Sequence, residues 1–274
     1  MMRPIRATCA ALSTALAAGT ALFIALAPAH AGAQPAATNR GRLEPLSDTS
    51  GGVLDEGAFI ISQNGKPVRV EEFAIERTGD TLFVRAASLV SLPERAEQSV
   101  DKSMVLVVGS LDFAMGSYWS QQIAGTDTLR RGVEVTPGDT VLTAWREVNG
   151  RGVGDVLAMP AGRMYVLDPP IFTTFNFLGR TLQGKVCDRR PIKVLVLGAR
   201  DSMVDGTVTD IGNESIRWGG RPVLARKLVI ADAATSFTAW FSPDGRMLRL
   251  EQARDNIRVD RKAPALKRQP PRTK

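Results

Sequence analysis

The sequence predicts an all-β protein in which a single large antiparallel sheet curls into a barrel, half-barrel or β-roll, with a two-sheet sandwich as the alternative. Roughly a dozen short runs rich in β-branched and aromatic residues recur at a spacing of about 8–14 residues. Turns containing glycine, proline or asparagine separate most of these runs. No long segment shows the 3.6-residue apolar period of an amphipathic helix.

The first 31 residues have the features of a secretory signal peptide. Arg3 and Arg6 provide a basic start, residues 15–26 form an apolar run, and Ala29-His30-Ala31 is a small-x-small cleavage site. We therefore expect export, cleavage after Ala31, and a mature protein that is periplasmic or secreted. No later apolar stretch has the length of a membrane span, so the mature chain is predicted to have no transmembrane anchor.

Composition and charge divide the rest of the chain into three segments. Residues 32–52 are rich in small and polar residues and are predicted to be a flexible linker. Residues 53–260 form the predicted antiparallel β domain. Residues 261–274 carry six basic residues and no acid, and the leader carries two more basic residues. These two segments account for the formal net charge of +7, so the β domain itself is nearly neutral. We predict a basic, disordered tail and no nucleic-acid surface.

Loss of the leader would remove chemistry from the chain, because His30 is the only histidine and Cys9 is one of two cysteines. Without histidine, the mature protein has neither Ser-His-Asp nor Cys-His catalysis, and no histidine metal ligand. We predict no catalytic residue, no metal site and no cofactor. The remaining cysteine, Cys187, lies near Arg189 and Arg190, which would favour a reactive thiolate; a half-buried strand position is the alternative.

The first β segments form a predicted meander, with turns at Asn64-Gly65 and at residues 78–80. Along the second segment, apolar residues occupy even positions up to Val70 and odd positions from Phe73 onward. A change of parity exchanges the two faces of a strand, so we predict a β-bulge near Glu71-Glu72. These adjacent carboxylates are expected to point to opposite faces of the strand.

The later segments alternate with turns in the same way. Leu111, Phe113, Met115, Trp119 and Ile123 all occupy odd positions, which is typical of one face of a strand. The strands predicted after the meander cover residues 104–108, 111–123, 129–135, 141–148, 164–167, 192–197, 204–209, 223–230, 235–241 and 247–251.

Three segments need a separate interpretation. Gly150-x-Gly152-x-Gly154 has closely spaced glycines but no following helix, so we predict a flexible loop rather than a phosphate cradle. Residues 171–178 contain three phenylalanines and are predicted to be a strand or an irregular cover over the sheet. Ser99-Val-Asp-Lys102 matches a Ser-x-x-Lys motif, but the other elements of that hydrolase class are missing, so the match is interpreted as coincidence.

A family resemblance rests on the two ends of the β domain. It is carried by the opening hairpin over residues 57–73, GAFIISQNGKPVRVEEF, and by the closing hairpin over residues 237–251, FTAWFSPDGRMLRLE. These hairpins resemble exported β-rich proteins of unknown function from Gram-negative bacteria, which are loosely similar to open-barrel periplasmic lipid and lipoprotein carriers. The resemblance implies an open, rolled sheet and an apolar ligand.

Aromatic side chains are the candidate ligand-binding residues. Four tryptophans lie in separate predicted strands, and a curled sheet would bring them into one cavity with the most aromatic segment. An ordinary hydrophobic core would use the same residues, and this alternative stays open. The candidates are Trp119, Trp145, Trp218, Trp240, Phe172, Phe175 and Phe177.

These observations give three hypotheses for function. The first is an exported, non-catalytic envelope protein that binds a hydrophobic small molecule or lipid in its curled sheet. The second is a structural or interaction protein of the cell envelope, with a filled core and strand edges available to an envelope protein partner. The third is a hydrolase that uses two carboxylates, which requires two acids facing each other across a cleft.

Overall fold

The structure is a computed structural model that describes residues 51–89, 100–110, 112–136, 138–182, 188–198 and 200–264. The predicted signal peptide, nearly all of the predicted linker and most of the basic tail lie outside the described residues. Ser99 and Cys187 lie outside them as well. No helix within the described ranges is long and apolar enough to cross a membrane.

Fifteen β-strands and one α-helix make up the described part of the chain. In chain order they are β1 (Gly52–Gln63), β2 (Lys66–Thr78), β3 (Thr81–Leu89), β4 (Val100–Gly109), β5 (Met115–Ala124), β6 (Asp127–Glu134), β7 (Val141–Val148), β8 (Arg151–Ala158), β9 (Met164–Leu167), α1 (Thr173–Thr181), β10 (Arg189–Val196), β11 (Ser202–Trp218), β12 (Arg221–Asp232), β13 (Ser236–Phe241), β14 (Met247–Gln252) and β15 (Ile257–Arg261).

All fifteen strands belong to one sheet with the order β8-β7-β6-β5-β4-β3-β2-β1-β15-β14-β13-β12-β11-β10-β9. Each strand pairs antiparallel with its neighbour, except that β9 and β10 are parallel. The first and last strands pair with each other in the middle of the sheet. Because β8 and β9 remain as two edges, the sheet is not closed by hydrogen bonds. The predicted all-β class and the single large curled sheet are confirmed.

Contacts across the interior show how strongly the sheet curls. Helix α1 contacts β3 in one half of the sheet and both β9 and β14 in the other half. Arg131 of β6 donates to the Asp201 carboxylate at 2.8 Å and to the Gly198 carbonyl at 2.6 Å, just beyond β10. The two halves therefore face each other, with α1 between them.

Two Asn-Gly turns have the backbone that their residues favour. Asn64 and Gly65 have φ angles of 52° and 76°, and Asn149 and Gly150 have φ angles of 49° and 80°. Two consecutive positive φ angles define the tight turn that matches the twist of a hairpin, and Asn-Gly adopts it at low cost. These turns set the registers of the β1–β2 and β7–β8 pairs.

The predicted bulge is present on β2, but three residues earlier than Glu71-Glu72. The β1–β2 ladder shifts register between the pairs Ile61–Arg69 and Ser62–Pro67, which leaves Val68 as the extra residue. The ladder between β2 and β3 is unbroken from Val70 to Thr78, and the β1–β2 ladder is regular at Glu71 and Glu72. Glu71 faces the interior on the same side as Phe73, and it is completely buried. Val68 packs against the main core, and the inward positions are odd-numbered from Glu71 onward, so the change of parity follows from the bulge at Val68.

The segment predicted to be a strand or irregular cover is instead helix α1. Eight of its nine residues are buried, including threonine, asparagine and glycine as well as phenylalanine. A helix buried on all sides has no polar stripe, so it lacks the period that identifies a surface helix. The fit is close, because a Cβ added at Gly179 would lie 2.2 Å from the Phe241 ring.

The predicted flexible loop at residues 150–154 is also different in the structure. Gly150 belongs to the turn, and Gly152 and Gly154 lie within strand β8. This strand pairs with β7 from Arg151 to Ala158 without a register shift. The closely spaced glycines are therefore strand residues.

Candidate functional site

Two of the candidate tryptophans lie on the outer face of the sheet. Trp119, Gly132 and Trp145 are register partners across β5, β6 and β7, whereas their chain neighbours Tyr118 and Val133 are buried in the main core. The Trp145 indole covers Gly132, where an added Cβ would come within 2.3 Å of the ring. Trp119 and Trp145 therefore lie outside the curl and do not line its interior.

Met115 and Trp119 were expected to share a face, and this expectation is wrong. The β4–β5 ladder shifts register between Val107 and Val108. An extra residue on β5, Gly116, reverses the parity of the strand at that point. Met115 consequently packs in the core, and Trp119 lies on the opposite face.

The other two tryptophans belong to a second, smaller hydrophobic cluster. Trp240 is buried in this cluster, and Trp218 packs against it at the edge. Lys227 and Arg249 lie over the Trp240 ring at 5.2 Å and 5.9 Å from its centre. This cluster is separate from the main core that lines the inside of the curl.

The three phenylalanines are all buried in the main core. Phe172 directly precedes α1, and Phe175 and Phe177 lie within it. The Phe175 ring lies 4.7 Å from that of Phe237, and the Phe177 ring lies 5.6 Å from that of Phe113. The structure thus groups the phenylalanines with one another but not with the tryptophans. A ligand-binding role for these seven residues stays a prediction.

Three buried acids around α1 form the feature that the sequence reasoning missed: Asp55, Glu71 and Asp168. Acidic residues are almost never fully buried without a partner, so three in one interior mark a specific arrangement. None of the three left a signal in the sequence that marks its carboxylate as buried.

Asp168 anchors the segment that leads into α1. Its Oδ1 accepts a hydrogen bond from Lys102 Nζ at 2.5 Å, and its Oδ2 accepts from Tyr118 Oη at 2.5 Å and Ser120 Oγ at 2.8 Å. The Lys102 amine also donates to the carbonyl oxygens of Asp168 at 3.3 Å and Pro169 at 2.9 Å. Strands β4 and β5 therefore hold this segment against their inner faces.

The charges in this cluster depend on one another. Burial lowers the pKa of Lys102, although the charge and hydrogen bond of Asp168 oppose that effect. Burial and the adjacent Asp168 carboxylate raise the pKa of Tyr118 well above its usual value. The Lys102 amine donates to three acceptors, and an ammonium group has three N–H donors. The raised pKa keeps the Tyr118 hydroxyl protonated, as a hydrogen-bond donor to Asp168.

Glu71 binds the beginning of α1. Its carboxylate accepts the backbone N–H groups of Phe172 at 2.8 Å and Thr173 at 2.7 Å, and also the Thr173 hydroxyl. A carboxylate at a helix N-terminus satisfies free N–H groups and interacts favourably with the helix dipole. Burial nevertheless raises the pKa of Glu71 to about 7, against the opposing effects of these hydrogen bonds and of Arg69.

Stability is expected to depend on pH through Glu71. The folded protein holds this proton up to a pH of about 7, and the unfolded chain releases it near 4.5. Between these values the folded state binds more protons, so stability falls by about 3 kcal/mol as pH rises. Urea unfolding of wild type and Glu71→Gln at several pH values measures this contribution, which the variant should lack. Glu72→Gln, on the outer side of β2, is the control. The same change of unfolding free energy with pH in wild type and in Glu71→Gln would contradict the prediction.

Asp55 joins the first strand, the last strand and the helix. Arg261 donates to both carboxylate oxygens, at 3.1 Å and 2.5 Å, and Asn176 of α1 donates at 2.9 Å. Arg180 lies 3.1 Å and Arg246 3.7 Å from the same carboxylate. Burial works to raise the pKa of Asp55, but the hydrogen bonds from Arg261 and Asn176 and the nearby arginine charges lower it overall.

Together the three acids fix the helix from three positions. Glu71 holds its first turn, Asp168 holds the preceding segment, and Asp55 holds its middle through Asn176. Asn176 also accepts the backbone N–H of Met247 at 2.7 Å. Each carboxylate binds donors from another element, so the arrangement is suited to fixing α1 inside the sheet.

A small pocket lies at the C-terminal end of α1, and none of the three acids lines it. Its volume is about 190 Å³, and its wall combines apolar side chains with Asn213, Arg226 and Ser242. None of the seven candidate aromatic residues lines it. The lining residues are Gly179, Asn213, Leu224, Arg226, Leu228, Phe241, Ser242, Pro243 and Gly245.

The fold and its interior define an open, mostly antiparallel β-sheet that curls round one helix. Among solved structures, it is similar to a beta-barrel-like protein of the domain of unknown function DUF1849 from Brucella abortus, with 10% identity, a TM-score of 0.46, and coverage of 76% of this chain and 94% of that chain. It is also similar to a DUF1089 family protein from Pseudomonas aeruginosa, with 14% identity, a TM-score of 0.42, and coverage of 66% and 87% respectively. No family model and no curated protein matches the sequence.

Proposed function

We propose that this protein is an exported structural or interaction protein of the cell envelope. Its interior holds the sheet in shape, and its outer surface and strand edges are available to a protein partner. The observation that carries this proposal is the filled interior. Helix α1 occupies the inside of the curl with eight of nine residues buried.

The three buried acids support the same function. A helix that had to leave the interior to admit a ligand would expose Asp55, Glu71 and Asp168 together with the groups they bind. Opening would also break the hydrogen bonds that these three carboxylates make to the helix, to the segment before it and to the strands around it, which favours the closed arrangement. The interior therefore serves stability rather than transport.

A small apolar ligand is the second candidate function, and the pocket beside α1 favours it. Leu224, Leu228 and Phe241 give this pocket an apolar wall. Sites for drug-sized ligands have volumes of about 300–1,000 Å³. A pocket of about 190 Å³ has room for part of a lipid chain only.

Native mass spectrometry of protein purified from its own envelope fraction tests the proposal, with organic extraction of anything bound. We expect the mass of a chain that begins at Gly32 and no stoichiometric lipid. Chemical crosslinking in intact cells should then link outer-face or edge residues to a protein. Leu224→Asp, at an exposed position in the pocket wall, is the control variant. A lipid-sized adduct in wild type would overturn the proposal, and its loss in Leu224→Asp would place the ligand in the pocket.

A further inference from the structure

Strand β8 is an exposed edge of the sheet. Seven of its eight residues are exposed, and Val153 and Val156 are 56% and 69% exposed. The other edge strand, β9, is mostly buried. Natural edge strands usually discourage pairing with another chain by charged side chains, especially lysine, by proline or by a bulge. β8 contains no lysine or proline, and its ladder with β7 has no register shift.

The turn geometry decides which backbone groups of β8 face outward. A two-residue turn at Asn149-Gly150 closes on the hydrogen-bonded pair Val148 and Arg151. Hydrogen-bonded and non-hydrogen-bonded pairs alternate along the ladder, so Arg151, Val153 and Asp155 direct their backbone groups to β7. Gly152, Gly154 and Val156 direct theirs away from the sheet. These outward N–H and C=O groups form the unpaired edge.

The charges on this edge are complementary when the strand pairs antiparallel with a second copy of itself. Residues 151–155 are Arg-Gly-Val-Gly-Asp, with opposite charges at equal distances from Val153. Both charged residues are exposed, and neither is paired with another side chain in the part of the chain that the structure describes. Opposite charges directly across an antiparallel pair stabilise it, and like charges destabilise it.

We propose that β8 pairs antiparallel with β8 of a second copy of this chain, centred on Val153. Gly152 then lies opposite the partner's Gly154 and exchanges hydrogen bonds with it. Arg151 lies opposite the partner's Asp155, and the twofold axis repeats both pairs. The glycines carry no side chain at the hydrogen-bonded positions, so the backbones meet without obstruction. The dimer joins two open sheets into one.

The charges select this register over its neighbours. Centring the pair on Arg151 or on Asp155 would place like charges opposite each other. Centring it on Gly152 or Gly154 would place Arg151 or Asp155 opposite valine. Only the register centred on Val153 pairs both arginines with both aspartates. The inference goes beyond the proposed function and does not depend on it, since either a scaffold or a small-ligand binder can dimerise through this edge.

Charge reversal tests the proposal. Arg151→Asp places two acids opposite each other, and Asp155→Arg places two arginines opposite each other. Each single variant is expected to weaken self-association at least about tenfold, because two attractive pairs per dimer become repulsive. An equimolar mixture of the two variants should form a heterodimer, and the double variant Arg151→Asp/Asp155→Arg should recover the homodimer. Sedimentation velocity from micromolar to millimolar protein and native mass spectrometry measure these states.

All these substitutions are at exposed edge positions, so thermal unfolding should show every variant folded. Val141→Thr, an exposed residue on the neighbouring strand β7, is the control and should leave self-association unchanged. A wild-type protein that stays monomeric over the whole range would overturn the proposal and leave the edge to a strand from another protein. A dimer that is insensitive to both charge reversals would use another surface, and would overturn it as well.

Discussion

Asp168→Asn is expected to lower the free energy of unfolding by about 3–5 kcal/mol. The substitution leaves the Lys102 charge buried without its counter-charge and leaves the hydroxyls of Tyr118 and Ser120 without a carboxylate acceptor. The segment leading into α1 would lose its anchor on β4 and β5. Urea unfolding monitored by tryptophan fluorescence measures the change.

The matched control is Asp205→Asn, which removes the partner of Lys193 on the surface. The Asp205 side chain is 80% exposed, so the loss should stay below about 1 kcal/mol. Adding Lys102→Met to Asp168→Asn should recover part of the stability, because the unpaired buried charge is removed. A loss in Asp168→Asn no larger than in Asp205→Asn would show that the buried cluster does not stabilise the fold.

Asp55→Asn is expected to have an effect of similar size, about 3–5 kcal/mol. Arg261, Arg180 and Arg246 would then surround a neutral side chain in the interior. The variant should also change the response to acid. Because the pKa of Asp55 is lowered in the folded state, its stabilisation is present above the unfolded pKa of about 3.8 and is lost as pH falls through the folded pKa.

Asp244→Asn is the matched control for Asp55, since it removes the other carboxylate that pairs with Arg246. Asp244 is about half exposed, and the expected loss is below about 1 kcal/mol. Unfolding measured at neutral pH and again near pH 3 separates the two effects. Equal losses for the two variants, or an unchanged acid response in Asp55→Asn, would contradict the role assigned to Asp55.

The strands could be predicted because they depend on local patterns. Asn-Gly turns specify their own backbone, and alternating side chains identify half-buried strands, so both signals are present within a few residues. Helix α1 could not be found in this way. Its Thr-Thr-Phe-Asn-Phe sequence has low intrinsic helix propensity, and burial on every side removes the apolar period. Packing inside the curled sheet stabilises it instead.

The candidate site was harder to predict because strand parity is not fixed over long distances. Gly116 adds one residue to β5, so Met115 faces the core and Trp119 faces outward. The sequence alone does not show which residue a ladder will leave unpaired. The change of parity along β2 indicated a bulge that is present at Val68, but it gave no sign of the buried carboxylate of Glu71. Its partner, the first turn of α1, lies 101 residues away in the sequence.

The pairing of β1 with β15 determines how the protein folds as well as its final shape. Thirteen of the sheet's pairings join strands that follow one another in the chain, and twelve of these are antiparallel; local contacts of this kind favour fast folding. The β1–β15 ladder, with its link between Asp55 and Arg261, joins residues 206 positions apart. Closing a loop of that length costs conformational entropy before any contact offsets it. We therefore expect the two half-sheets to form first, and the β1–β15 pairing to join them last.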